Sequence, residues 1–253
     1  MPELTIVAIH GNGGGAFRFD RIRPFLPDAV RFLPITLPGF AAKPADPALQ
    51  TLSDYADHLH GIVAQEQRPL VLLGTGIGGS IALEYVQRNP EAIDGLILHA
   101  PVGTRLEKRL FPRFMKLPGM RRLGQLTFSS PITRPLFRRL LFHQPVPNDY
   151  LNRFFNEYRQ CSVFGQMFDI ITQPWFDGLR PVDIPTVLLW GERERVLTVD
   201  QLDDYKQLLP NHTTRIVPDW DHFPMIEQPA EYSEEMVQLA RQLVKAESVA
   251  HTK

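Results

Sequence analysis

Only one cysteine, Cys161, stands among 253 residues, so no internal disulfide can form and the fold must rest on its core. Long apolar runs are missing too. No stretch approaches the roughly 18 consecutive apolar residues of a membrane span, and Met1-Pro2-Glu3 passes into the apolar run Leu4 to Ile9 without a basic leader or a cleavage site. A soluble, cytoplasmic protein is the expectation. The chain has no internal repeat and no low-complexity tract, and its net charge is only −1, so composition marks neither a fibre nor a disordered tail. What it does have is 43% hydrophobic residues, enough at this length to bury one α/β core plus an insertion.

The organising stretch is Val71-Leu72-Leu73-Gly74-Thr75-Gly76-Ile77-Gly78-Gly79-Ser80. Three apolar residues run into a glycine-rich knot, and the apolar spacing of Ile81 to Val86 then suits a helix packed on a sheet. A buried strand, a very tight turn and a helix follow from this. Gly74 and Gly78 bracket Gly76 as the outer glycines bracket the serine of a G-x-S-x-G nucleophile elbow. The segment resembles the elbow of the α/β-hydrolase superfamily, and the other segments of that family follow in the expected order. The resemblance covers nearly the whole chain and implies a mostly parallel central sheet with helices on both faces and a helical cap. At the nucleophile position, however, Gly76 has no oxygen or sulfur with which to attack a carbonyl.

In chain order, the first strand leads into His10-Gly11-Asn12-Gly13-Gly14-Gly15, similar to the family's H-G-x-G loop. The resemblance implies an oxyanion hole made by the backbone N–H groups of Asn12 and Ile77. Val30 to Leu37 reads as a strand broken by Pro34, and Pro38-Gly39-Phe40 resembles the family's L-P-G-F turn, although Ala41 and Lys43 stand where a second glycine and a serine are usual. Ser53 to Glu66 reads as a helix with Ser53 as N-cap. His58 and His60 lie on it two apart, so they do not share a face. Gly95 to Val102 is a further buried strand, and its alternation with helices argues for a parallel sheet.

Between residues 104 and 180 the pattern changes. Seven prolines chop this stretch into short helices, and it holds 10 of the 16 phenylalanines. It carries 13 Lys+Arg against 5 Asp+Glu, a basic insert in a body of net charge −9. The resemblance places the cap here, over residues 104–180, leaving 1–103 and 181–253 as the core. Leu106, Leu110, Phe114 and Leu117 fall on one helical face. Phe111, Phe114, Phe128, Phe137, Phe142, Phe154, Phe155 and Trp175 are the expected lining of an apolar pocket, with packing of the cap helices on one another as the competing account.

The core resumes with Val187-Leu188-Leu189-Trp190-Gly191-Glu192-Arg193-Glu194, similar to the family's acid segment with Glu194 in place of the usual aspartate. The stretch Asp219-Trp220-Asp221-His222-Phe223-Pro224 resembles the family's histidine loop. The implied catalytic order is therefore Gly76, Glu194, His222, with a carboxylate fixing the tautomer of a general base. Ser80 lies one helical turn past Gly76, where its hydroxyl should face packing or a backbone carbonyl.

A hydrolase of an ester or a C–C or C–X bond in an apolar, aromatic or acyl small molecule is the leading expectation. Gly76 then marks either an engineered loss of the nucleophile or native serine-independent chemistry. The alternatives are an inactive relative that binds a ligand or a protein, and a cofactor-free lyase or oxygenase working by base catalysis through the Glu194–His222 pair. No metal, cofactor or nucleic-acid partner is expected, since the body is acidic and no stacking or helix-turn-helix signature occurs. The basic cap suggests weak attraction to an anionic membrane surface.

Overall fold

The computed structural model describes residues 2–250. Six strands form one sheet, β1 (Leu4–Ile9), β2 (Val30–Ile35), β3 (Leu70–Thr75), β4 (Gly95–His99), β5 (Thr186–Gly191) and β6 (His212–Val217). Their order is β2-β1-β3-β4-β5-β6 and every pairing is parallel. The expected α/β architecture is thus present. Parallel neighbours require crossovers, and helices supply them on both faces.

On one face lie α1 (Leu52–Val63) and α2 (Ile77–Arg88), whose Tyr55, Leu59, Ile81 and Tyr85 pack with Val7, Leu72 and Leu98. Strand residues of the opposite parity, such as Ile6, Val71, Leu73 and Ile97, face a second layer. That layer holds a 3-10 helix over Ala16–Phe25 and the carboxyl-terminal helix. Two fully buried layers explain why the central strands read as continuous apolar runs.

Between β4 and β5 the chain forms α3 (Leu110–Met115), α4 (Met120–Ser129), α5 (Arg134–Leu141), α6 (Asn148–Gln160), α7 (Met167–Ile170) and α8 (Gln173–Asp177). After β5 come α9 (Leu202–Leu208), α10 (Pro224–Glu227) and α11 (Pro229–Ala250).

Three local readings change. β2 is continuous through Pro34, which pairs with Ala8, because β2 is an edge strand and one side of its backbone needs no N–H for a neighbour. The N-cap of α1 is Thr51 rather than Ser53. The Thr51 side chain accepts from the Asp54 N–H while the Asp54 carboxylate accepts from the Thr51 N–H, a reciprocal capping box. Finally, the apolar face expected from Leu106 to Leu117 is split. A 3-10 turn over Leu106–Lys108 ends at Arg109 in extended backbone, so the helical register restarts at Leu110. Leu106 is buried, whereas Leu110, Phe114 and Leu117 point to solvent.

Candidate functional site

The elbow joins β3 to α2 at the carboxyl edge of the sheet. Its glycines are dictated by contact. A Cβ on Gly74 would lie 2.6 Å from the Gly78 carbonyl oxygen, and one on Gly78 would lie 2.6 Å from the Ile9 oxygen. Both obstacles are backbone, so neither can yield. Gly76 differs. Its backbone is at φ 54° and ψ −119°, but a Cβ there would meet only the Gly11 Cα, at an ordinary 3.5 Å. Conformation favours glycine at this point and space does not demand it.

Other hydroxyls and thiols near the elbow are engaged elsewhere. Ser80 Oγ is buried and donates to the Val102 carbonyl at 2.5 Å, and Thr75 Oγ1 donates to the Ile9 carbonyl at 3.1 Å. Cys161 is buried, and burial pushes its thiol up to about 12. None of the three presents an activated nucleophile.

Glu194 follows β5 and is buried, while Glu192 is exposed. His222 Nδ1 lies 2.7 Å from Glu194 Oε2, and the second oxygen, Oε1, accepts from the Val196 and Leu197 N–H groups at 2.6 and 2.9 Å. The carboxylate is fully committed. Burial alone would raise its pKa, but the facing imidazole and these donors bring it below the usual carboxylate value. Burial likewise opposes protonation of His222, yet the Glu194 charge and hydrogen bond outweigh it and the imidazole is raised. Asp221 does not compete for the ring. Its carboxylate accepts from Arg195 Nε at 2.9 Å and from the His222 backbone N–H at 2.9 Å, and it faces His143 Nε2 at 3.2 Å.

The glycine-rich loop is held from beneath by His10. Leu37 N–H donates to His10 Nε2 at 3.2 Å, which assigns the proton to Nδ1 and its bond to the Gly11 carbonyl at 2.9 Å. Burial lowers this imidazole to about 4, so it is a neutral brace. The backbone N–H groups of Asn12 and Ile77 have no acceptor among the described residues. They are free to serve as donors. Behind the elbow, His99 is buried against Tyr232 and Trp220, and burial lowers it to about 4.

The aromatic residues divide into groups. Phe142 and Phe154 reach the site, with ring centroids 5.4 and 5.1 Å from Phe223, whose own ring lies 4.5 Å from His222. Phe128 packs on Phe137 and Phe155 at 4.8 and 5.3 Å within the cap, so these three bind the short helices together. Phe114 is half exposed, because α3 is a helix of six residues whose restarted register turns Met115 inward instead. Trp175 Nε1 donates to Glu84 Oε2 at 2.8 Å on α2, which ties α8 to the core rather than to the site. The side chain of Phe111 lies outside the described residues.

Two contributors escaped the sequence reading. Tyr158 of α6 sets its ring where a Cβ on Gly13 would stand, bringing the cap onto the glycine-rich loop. Arg18 is buried, with its Cζ 3.5 Å from the Phe154 ring centroid and 5.9 Å from that of Phe223. The signal was slight: one arginine between Phe17 and Phe19 just after the loop. A polar groove of about 820 Å³, lined by Phe17, Thr36, Lys43, Asn152 and Glu157, lies beside this point without including Gly76 or His222.

A model of the alpha/beta hydrolase family matches residues 6–235. The chain belongs to that family. A pimeloyl-[acyl-carrier protein] methyl ester esterase of Neisseria meningitidis serogroup B is 24% identical over 216 residues, covering 81% of each chain. A 2-hydroxymuconate semialdehyde hydrolase of Pseudomonas sp. is 26% identical over 230 residues, covering 86% of this chain and 75% of its own. An esterase structure from Exiguobacterium antarcticum superposes with a TM-score of 0.73 at 17% identity, covering 95% of this chain and 92% of the esterase. In this alpha/beta hydrolase the relatives are hydrolases, so hydrolytic chemistry on this fold is the coarse functional class. Among the described residues no helix is long and apolar enough to cross a membrane, and no cluster of metal-ligating side chains occurs.

Proposed function

We propose that this alpha/beta hydrolase cleaves an ester or a similarly activated acyl bond of an apolar small molecule, with water as the nucleophile. The observation that carries this reading is the buried Glu194–His222 pair at 2.7 Å, in a chain whose elbow has Gly76 at its centre. Glu194 accepts from His222 Nδ1–H and leaves Nε2 as the base. His222 Nε2 takes a proton from water as the water oxygen bonds to the substrate carbonyl carbon. The Asn12 and Ile77 N–H groups hold the resulting oxyanion. When the tetrahedral species collapses, the proton on Nε2 passes to the leaving alkoxide, and acid and alcohol are released. Phe142, Phe154 and Phe223 offer the apolar wall.

The test is turnover of a panel of aryl and acyl esters by the native protein, His222→Ala and Glu194→Gln. General-base catalysis contributes about 10²–10⁴-fold, so both variants should lose activity on that scale. Equal rates in all three proteins would overturn the reading. A second reading, an inactive protein that binds ligand in the same pocket, is favoured by Gly76 itself, since glycine relieves a strain of about 1–3 kcal/mol that only a needed nucleophile justifies. Under it, no protein of the set turns over ester, while ligand affinity survives His222→Ala.

We also propose that the outer face of the cap meets anionic membrane surface. From Lys108 to Asn148 the chain carries nine Lys and Arg and no Asp or Glu. The same segment exposes Leu110, Leu123, Leu126, Ile132, Leu136 and Leu140. Cations interleaved with exposed aliphatic side chains on short helices suit the headgroup region of a bilayer.

A further inference from the structure

Arg18 buries its guanidinium among Gly14 of the glycine-rich loop, Phe154 and Tyr158 of α6, and Phe223. Its side chain is 5% exposed. A Cβ on Gly14 would stand 2.2 Å from Nε, so glycine at position 14 makes room for it. The rings of Phe154, Tyr158 and Phe223 surround Cζ at 3.5, 5.0 and 5.9 Å. Stacking on aromatic faces steadies the plane of the guanidinium but satisfies none of its N–H groups.

Those N–H groups lack acceptors. Neither Nη1 nor Nη2 has a hydrogen-bond partner among the described residues. Glu157 Oε2 is 3.8 Å from Nε, too far for a hydrogen bond, and is itself unpartnered. Glu157 is also shared with Arg153, at 3.9 Å, on the side of the polar groove. A buried cation is expensive unless its donors are used, and two Nη groups on one planar fork match the two oxygens of a carboxylate. One guanidinium with an acid already beside it suits a single negative charge better than a phosphate dianion. The Phe223 ring centroid lies 5.9 Å from Arg18 Cζ and 4.5 Å from the His222 ring, so the two groups flank one aromatic side chain.

We infer that Arg18 anchors a carboxylate-binding subsite, so that the pocket takes an aromatic or acyl compound bearing a free carboxylate. The Arg18 Nη groups donate to the two carboxylate oxygens, Phe154 and Tyr158 flank the apolar body, and the far end of the ligand is left to His222 and the loop amides. Only the fate of that far end rests on the hydrolase reading; the binding does not.

The experiment is calorimetric titration of the native protein, Arg18→Met and Arg18→Lys with benzoate and 4-phenylbutyrate, with their neutral amides, and with phenylphosphonate. A hydrogen-bonded charge in a buried site should favour each acid over its amide by about 10- to 100-fold in the native protein. Arg18→Met should erase that preference while leaving amide affinity in place, and Arg18→Lys should retain part of it. Equal binding of acid and amide by the native protein, or an undiminished preference in Arg18→Met, overturns the inference. Should Arg18→Met fail to fold, an unchanged preference in Arg18→Lys overturns it equally, because lysine lacks the planar fork. Tighter binding of the phosphonate than of the acids overturns the assignment to carboxylate. Failure of ester turnover with the acid preference intact would sink the hydrolase reading alone.

Discussion

Serine at position 76 is the most informative change in this molecule, and the structure sets its size. The new Cβ finds only the Gly11 Cα, at 3.5 Å, so steric cost is small. Backbone cost is not. A non-glycine residue at φ 54° and ψ −119° is strained by about 1–3 kcal/mol. For a chain of this length each 1 kcal/mol moves Tm by roughly 2–4 °C, so Gly76→Ser should melt about 2–12 °C below the native protein. Gly76→Ala carries the same Cβ and the same strain and should melt with it. The chemistry separates the two. The proposed function puts Glu194, His222 and the amides of Asn12 and Ile77 around the position, and in a serine triad the nucleophile contributes a factor of about 10⁶ to kcat. Hydrolysis of p-nitrophenyl butyrate by Gly76→Ser should therefore exceed that by Gly76→Ala by at least about 10³-fold, with an acyl-enzyme burst that Gly76→Ala lacks. If both variants are folded and hydrolyse the ester at rates within about tenfold of each other, the site is not organised for acyl transfer.

Three further outcomes are expected. Gly78→Ala, whose Cβ would press on the Ile9 and His10 carbonyl oxygens at 2.6 and 2.7 Å, should lose more than about 4 kcal/mol of stability or fail to fold, and a urea midpoint near the native value would refute the contact argument. The pH dependence follows from His222 and Glu194. Free Nε2 is needed for base catalysis, so kcat/KM should rise with pH through a midpoint above 6.5, and Glu194→Gln should move that midpoint down. For stability, the raised His222 contributes fully below 6.5 and is lost as pH climbs past its folded value, while the lowered Glu194 contributes fully above 4.5 and is lost as pH falls past its own. Glu194→Gln should thus destabilise most between pH 4.5 and 6.5, and a flat difference in urea midpoints across that range would count against the pair. Lastly, the basic cap face should bring the protein down with vesicles of phosphatidylserine and phosphatidylcholine at low salt and release it at about 0.5 M salt. No sedimentation with anionic vesicles at low salt would end the membrane proposal.

The strands and the elbow were legible because their causes are local. Leu70 to Leu73 must be buried on both faces, and Gly74 and Gly78 have backbone where a side chain would go. The neighbourhood of Glu194 and His222 was legible through motif order, since 28 residues separate two groups that β5 and β6 deliver to one edge. Arg18 was not legible. Its burial is produced by Phe154, Glu157 and Tyr158, which arrive from more than 130 residues away on α6, and no local pattern in a glycine-rich loop announces them. The cap face from Leu110 to Leu117 misled for the opposite reason. Helical spacing reports which residues share a side, and a short helix between a 3-10 turn and Pro118 shares its side with solvent.

The two borders of the sheet bear on how copies of this protein meet. β2 is closed to strand addition by Pro34, which removes a backbone donor, and by the charged Arg31 paired to Glu66. β6, the other border, presents Arg215 paired to Glu235 of α11 along an otherwise exposed run. Natural sheets use such features to discourage edge-to-edge aggregation. A crowded solution of this protein should therefore not grow by extending its sheet, and any self-association has to begin from side-chain surfaces instead.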